Sequence, residues 1–149
     1  MTPTAGNEIV LDPGFGDLFQ REKGREPCQL YLISPPQIGA DFSDRLKAAL
    51  DAAPAAAFQL RLKGVDEDAI ALAAEPIQRI CADRDVAFIV NDSVALAHML
   101  SADGVHLGQE DGDVREARKL LGPSVQIGVT CHDSRHLAME AGDAGADYV

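Results

Sequence analysis

Cysteine is scarce in this chain. Its three cysteines, Cys28, Cys81 and Cys131, are odd in number and far apart, with no CxxC pair among them. That excludes a disulfide framework and a cysteine zinc site, and it fits free buried thiols in a reducing, cytoplasmic setting. Positive charge is also in short supply, with 13 Lys and Arg against 24 Asp and Glu and a formal net charge of −11. A nucleic-acid groove or an anionic membrane surface would need a local basic excess, so neither is an expected partner. No apolar run reaches the roughly 18 residues that a membrane-spanning helix needs. The first twenty residues lack the basic stretch and apolar run of a secretory signal. Neither GxGxxG after the first strand pattern nor GxxxxGK[ST] anywhere is present, which removes the usual signals of nucleotide-binding doubly wound sheets.

What the sequence does contain is a globular composition, 46% hydrophobic over 149 residues, and a repeated strand-then-helix pattern. Residues 1–26 mix Gly, Pro and charge and read as a leader; the domain is expected over 27–149. Strands are predicted at 28–33, 57–62, 86–90, 103–108 and 125–129, with DYV at 147–149 opening a sixth. Helical spacing fills the gaps. Phe42, Leu46, Ala49 and Leu50 share one face after Asp41, and Gly122 before Pro123 marks the end of a helix over 113–122. Pro76 lies inside the helical stretch 66–83 and predicts a kink or a break into two shorter helices. Strands each followed by a helix imply a parallel sheet covered by helices. The preferred fold is a TIM (β/α)8 barrel, with about six βα units in this chain, and a flavodoxin-like sheet is the alternative.

Polar residues recur at the carboxyl ends of the predicted strands, which in a barrel form the active-site rim. Gln59, Arg61 and Lys63, spaced by two, alternate onto one face of the second strand. The third strand ends in Asn91 and Asp92, the fourth in His106, Gly108, Gln109, Glu110 and Asp111, and the fifth in Thr130, Cys131 and His132. Each has a plainer explanation. Arg61 and Lys63 fit exposed ion pairs, Asp92 and Asp111 fit helix caps, and His106 fits a satisfied core histidine. Thr130 and His132 fit turn positions, while Gly104 and Gly108 fit backbone geometry. Their recurrence after four successive strands favours a shared site. Two carboxylates with no cysteine suit Mg²⁺ completed by phosphate oxygens, and Arg61 and Lys63 would hold further phosphate charge. The chemistry so described is that of a diphosphate ester.

At these residues the sequence resembles the thiamine phosphate synthase family, also called thiamine phosphate pyrophosphorylase. The stretches that carry the resemblance are QLRLKG at 59–64, FIVND at 88–92, ADGVHLGQED at 102–111, GVTCH at 128–132 and GADYV at 145–149. The resemblance implies a TIM barrel that joins a hydroxymethylpyrimidine diphosphate to a thiazole phosphate and releases diphosphate. It implies diphosphate and pyrimidine contacts from Gln59, Arg61 and Lys63, with Asn91 beside the diphosphate. Asp92 and Asp111 would be the Mg²⁺ ligands, and Thr130 would stand where the family usually has serine. Arg61, Lys63 and Thr130 are thereby the expected catalytic groups, with His132 nearby as a further substrate contact. Ser93 replaces a frequent arginine, and the proline that often follows Asp111 in the family is absent. The implied mechanism is dissociative: diphosphate leaves, and the thiazole nitrogen captures the pyrimidine cation.

Two alternatives remain at this level. A thiazole tautomerase shares the fold and parts of the motifs and would use a histidine such as His132 for proton transfer. A non-catalytic barrel that binds phosphorylated ligands would hold substrate without turnover. The expected partners are thus small phosphorylated pyrimidine and thiazole molecules, and a homo-oligomer is left open. The family pattern continues beyond GADYV with a GxGPxxxTxTK-like loop and further strands, so the chain reads as an incomplete barrel ending in strand six. An unclosed barrel leaves two open sheet edges and an exposed apolar interior. Residues 1–149 alone are therefore expected to fold poorly or aggregate; a cooperative, monomeric thermal melt of that segment would overturn this expectation.

Overall fold

A computed structural model of the chain describes residues 27–149. The expected leader at 1–26 lies outside the described residues. Five strands alternate with five helices. They are β1 (Leu30–Ile33), α1 (Phe42–Ala52), β2 (Ala55–Leu60), α2 (Glu67–Ala82), β3 (Ala87–Asn91), α3 (Val94–Met99), β4 (Gly104–Leu107), α4 (Val114–Leu121), β5 (Gln126–Val129) and α5 (Arg135–Ala144). The strands form one sheet in the order β1-β2-β3-β4-β5, and every neighbouring pair is parallel. This is a five-stranded parallel α/β half-barrel. The predicted sixth strand is represented by a single parallel bridge between Gly128 and Tyr148. No described helix is long and apolar enough to cross a membrane.

Period-two alternation along the strands sorts side chains onto two faces. Phe58, Leu60, Phe88, Val90, Val105, Leu107, Ile127 and Val129 are buried in the main core, together with helix residues such as Leu46, Ile77 and Leu96. The intervening positions, Gln59, Asn91, His106 and Gly128, belong to the opposite, concave face. An aliphatic face against helices and a polar face on the inside therefore follow from one strand geometry.

Local signals set the helix ends. Ser93, Asp113 and Ser134 each accept a hydrogen bond from the backbone N–H three residues on, and so cap α3, α4 and α5. Asp66 does the same for α2. Gly122 is the C-cap of α4, as its place before Pro123 predicts. The helix containing Pro76 is one continuous element, neither of two short ones. Pro76 and Leu72 are both exposed, Leu72 to 76%. The carbonyl that loses its donor to the proline ring is therefore on the water-facing side, where solvent satisfies it.

Gly104 is fixed by close approach of the neighbouring strands. A Cβ there would lie 2.7 Å from the Gln126 carbonyl oxygen and 2.6 Å from Ile89 Cδ1. The first obstacle is backbone and cannot rotate away. Gly104→Ala is expected to destabilise the whole protein by about 1–3 kcal/mol, the usual scale of overpacking. Urea unfolding checks this, and an unchanged midpoint at unchanged slope would contradict the account.

Candidate active site

Parallel pairing brings the ends of the strands to a common rim. Beneath it lies a cavity of about 360 Å³ lined by Tyr31, Ile33, Gln59, Arg61, Asn91, His106, Thr130, Tyr148 and Val149. Four residues singled out in the sequence, Gln59, Arg61, Asn91 and Thr130, therefore meet in one space, and His106 joins them. Four lining residues were not singled out as site residues from the sequence: Tyr31, Ile33, Tyr148 and Val149. Tyr31 and Ile33 are two apart on β1, so alternation was a usable signal for them. Tyr148 had only its membership of the sixth-strand motif.

Inside the cavity the polar groups are joined in series. Gln59 is 2% exposed, and its Nε2 donates to the Tyr31 hydroxyl at 3.0 Å. The Tyr31 and Tyr148 hydroxyls are 2.7 Å apart. Tyr148 lies 3.3 Å from His106 Nδ1, and His106 Nε2 lies 2.8 Å from Thr130 Oγ1. Both ring nitrogens of His106 are thus engaged, and the alternative of a satisfied histidine is correct in hydrogen-bonding terms, although this histidine faces the cavity. Burial pushes its imidazole below the ordinary value and outweighs the upward pull of the Asp92 and Asp111 carboxylates.

The Tyr148 ring rests where only glycine fits, because a Cβ on Gly128 would collide with it. The backbone of Arg61 is held by Ser34, buried just beyond β1, whose hydroxyl accepts from the Arg61 N–H at 2.8 Å. Lys63 departs from the shared face expected for it. β2 ends at Leu60, so strand alternation no longer directs position 63. Its Nζ donates to Asp92 Oδ2 at 2.6 Å, and the side chain lines a neighbouring recess with Pro36, Leu62 and Val65.

Asp92 and Asp111 are not helix caps. Ser93 and Asp113 perform that role for the helices that follow. Asp92 adopts a left-handed backbone, φ 67°, at the end of β3, and its N–H donates to the His106 carbonyl at 2.8 Å. Asp111 Oδ2 accepts from the Gly108 N–H at 2.7 Å. The named bonds use Oδ2 of each carboxylate. Among the described residues no group of three or more His, Cys, Asp or Glu side chains is placed to hold a metal. Two hard oxygen donors without a protein cage fit an ion that takes most of its ligands from water and phosphate, as Mg²⁺ does. His132 is exposed with φ 50° and lies outside the cavity lining.

The depressed imidazole has a consequence for stability. His106 stays neutral in the folded protein at a pH where the unfolded chain would already bind a proton. Stability therefore falls as pH drops below the ordinary imidazole value of 6.5. Thermal melts between pH 7.5 and 5.5 are expected to show a smaller acid-side loss in His106→Gln than in the parent; parallel curves would refute it.

The family model described as thiamine monophosphate synthase matches residues 30–149. The thiamine-phosphate synthase of Erythrobacter litoralis is 62% identical over 125 residues, covering 83% of this chain and 59% of that protein. The corresponding synthase of Rhodospirillum centenum is 54% identical over 123 residues, with 82% and 59% covered. The solved thiamine phosphate pyrophosphorylase from Pyrococcus furiosus superposes with a TM-score of 0.70 at 30% identity, over 80% of this chain and 57% of that one. The chain thus spans somewhat under three fifths of the length of these relatives. The family match over residues 30–149, these relatives and the shared fold together show that the chain belongs to the thiamine monophosphate synthase family.

Proposed function

We propose that the protein joins hydroxymethylpyrimidine diphosphate to a thiazole phosphate, giving thiamine phosphate and diphosphate, and that its full architecture is the eight-unit barrel of its family. The observation that carries this reading is the convergence of Gln59, Arg61, Asn91, His106 and Thr130 on one cavity at the carboxyl ends of the strands. A hydrogen-bonding inner wall suits an aminopyrimidine, and a cationic, carboxylate-flanked rim suits its diphosphate.

In this mechanism the bond between the pyrimidine methylene and the diphosphate oxygen breaks, and its electron pair leaves with diphosphate. The aminopyrimidine ring delocalises the cation. The lone pair of the thiazole nitrogen then forms the new carbon–nitrogen bond. No protein nucleophile is needed, so the side chains orient the two substrates, stabilise charge and exclude water. Arg61 offers a forked contact to phosphate oxygens, while Lys63 supplies a point charge beside Asp92. Asp92 and Asp111 are the residues that would hold Mg²⁺, which supplies Lewis-acid neutralisation of the diphosphate charge. Asn91 and the Thr130 hydroxyl add neutral hydrogen bonds to the same substrate.

The test supplies both substrates and Mg²⁺ to the whole protein and measures diphosphate and thiamine phosphate together. Equal release of the two is expected. Arg61→Met and Asp92→Asn are each expected to lower kcat by about 10²-fold or more, the scale of losing one charge-stabilising contact. Tautomerisation of the thiazole phosphate without diphosphate release, or substrate binding without turnover, would refute the transferase reading.

A further inference from the structure

Arg118 sits on α4, away from the cavity lining, yet it ties together the segments that support one wall of the cavity. Its Nη1 donates to the carbonyls of Gly122 at 2.9 Å and Val125 at 2.6 Å. Its Nη2 donates to the Gly145 carbonyl at 2.9 Å and to Asp147 Oδ2 at 2.6 Å. The side chain is 23% exposed and that of Asp147 34%, so this is no freely solvated surface pair. A planar guanidinium can meet four acceptors from the end of α4, the approach to β5 and the exit of α5, whereas an ammonium cannot.

Asp147 passes the constraint inward. The same Oδ2 accepts from the Ile127 N–H at 2.7 Å, and the Asp147 N–H donates to the Ile127 carbonyl at 2.8 Å. The next residue is Tyr148, whose carbonyl accepts from the Val129 N–H at 3.1 Å. Its ring lies over Gly128, and its hydroxyl meets Tyr31 and His106. A rotation of the peptide at Asp147 would swing the phenol out of that arrangement.

We propose that Arg118 is a positioning residue for the pyrimidine-binding wall: through Asp147 it sets Tyr148 against Gly128, Tyr31 and His106. The role of that wall in substrate binding rests on the transferase reading above, but the placement of Tyr148 does not. Burial, followed by the hydrogen bond that the Tyr148 hydroxyl shares with Tyr31, holds the Tyr148 phenol well above the ordinary tyrosine range. Its ionisation therefore reports whether it is in place.

The experiment compares the whole parent protein with Arg118→Lys and Asp147→Asn, using Tyr148→Phe as the spectroscopic reference. Ultraviolet absorbance from pH 9 to 11 follows tyrosinate formation. In the parent, the Tyr148 contribution is expected to remain un-ionised across this range. In both variants it is expected to titrate near the ordinary phenol value. KM for the pyrimidine diphosphate is expected to rise about tenfold, the scale of one lost hydrogen bond, with a smaller change in kcat. The double variant Arg118→Lys/Tyr148→Phe should be no worse in KM than Tyr148→Phe alone, because the two residues act on one contact. A parent-like tyrosine titration in both variants, with only the melting temperature lowered, would show Arg118 to be merely structural and overturn the proposal. Additive KM effects would overturn it equally. Should the protein not perform the transfer, the titration alone decides the placement, so failure of the activity and failure of the positioning are read separately.

Discussion

Parallel pairing is the constraint on which this molecule depends. Five strands running the same way must all deliver their carboxyl ends to one rim, so residues as far apart in sequence as Tyr31 and Tyr148, 117 positions, become neighbours. The alternation of side chains then divides the work. One face of each strand packs into the helix layer through Phe58, Phe88, Val105 and Ile127. The other turns Gln59, Asn91 and His106 inward. The aliphatic packing holds the register, and the register lines up the polar groups. Moving one strand by one residue would exchange its core face for its cavity face, disturbing stability and site together.

Electrostatics at the rim are local. A chain of net charge −11 would repel a phosphorylated ligand if its charge were evenly spread. Arg61 lines the cavity, and Lys63 stands beside Asp92 on the rim. Both cations follow directly from the end of β2. The Lys63–Asp92 pair is partly exposed, so its contribution to stability is small. Its structural effect is to keep one cation and one carboxylate together just beyond the ends of β2 and β3.

Much of the architecture was legible because apolar runs and Gly122 before Pro123 act locally, whereas the caps weighed for Asp92 and Asp111 fell to Ser93 and Asp113. Gln59 and Arg61 could be placed together from alternation. The same rule misled at Lys63, because β2 stops at Leu60 and the side chain is no longer bound to strand geometry. Of the kink or break expected at Pro76, the single helix α2 rules out the break, since the cost of proline depends on whether the abandoned carbonyl meets water. Tyr148 illustrates the deepest limit. Its position depends on a gap over Gly128, on Tyr31 from the first strand and on Arg118 from an outer helix. None of those contacts is encoded by spacing around Tyr148 itself.

The caps show how the site carboxylates are kept available. A carboxylate near a helix start can satisfy free backbone N–H groups, and Asp92 and Asp111 both lie close enough to invite that role. Ser93 occupies it for α3, and Asp113 for α4. Ser93, the residue that departs from the frequent family arginine, also donates from its hydroxyl to Glu67 Oε1 at 2.5 Å, tying the start of α3 to α2. Asp92 meanwhile takes a left-handed turn, a conformation that aspartate tolerates better than most residues but still at some cost. Adjacent positions thus have separate tasks: Ser93 completes the helix, and the turn at Asp92 leaves its carboxylate with Lys63 on the rim.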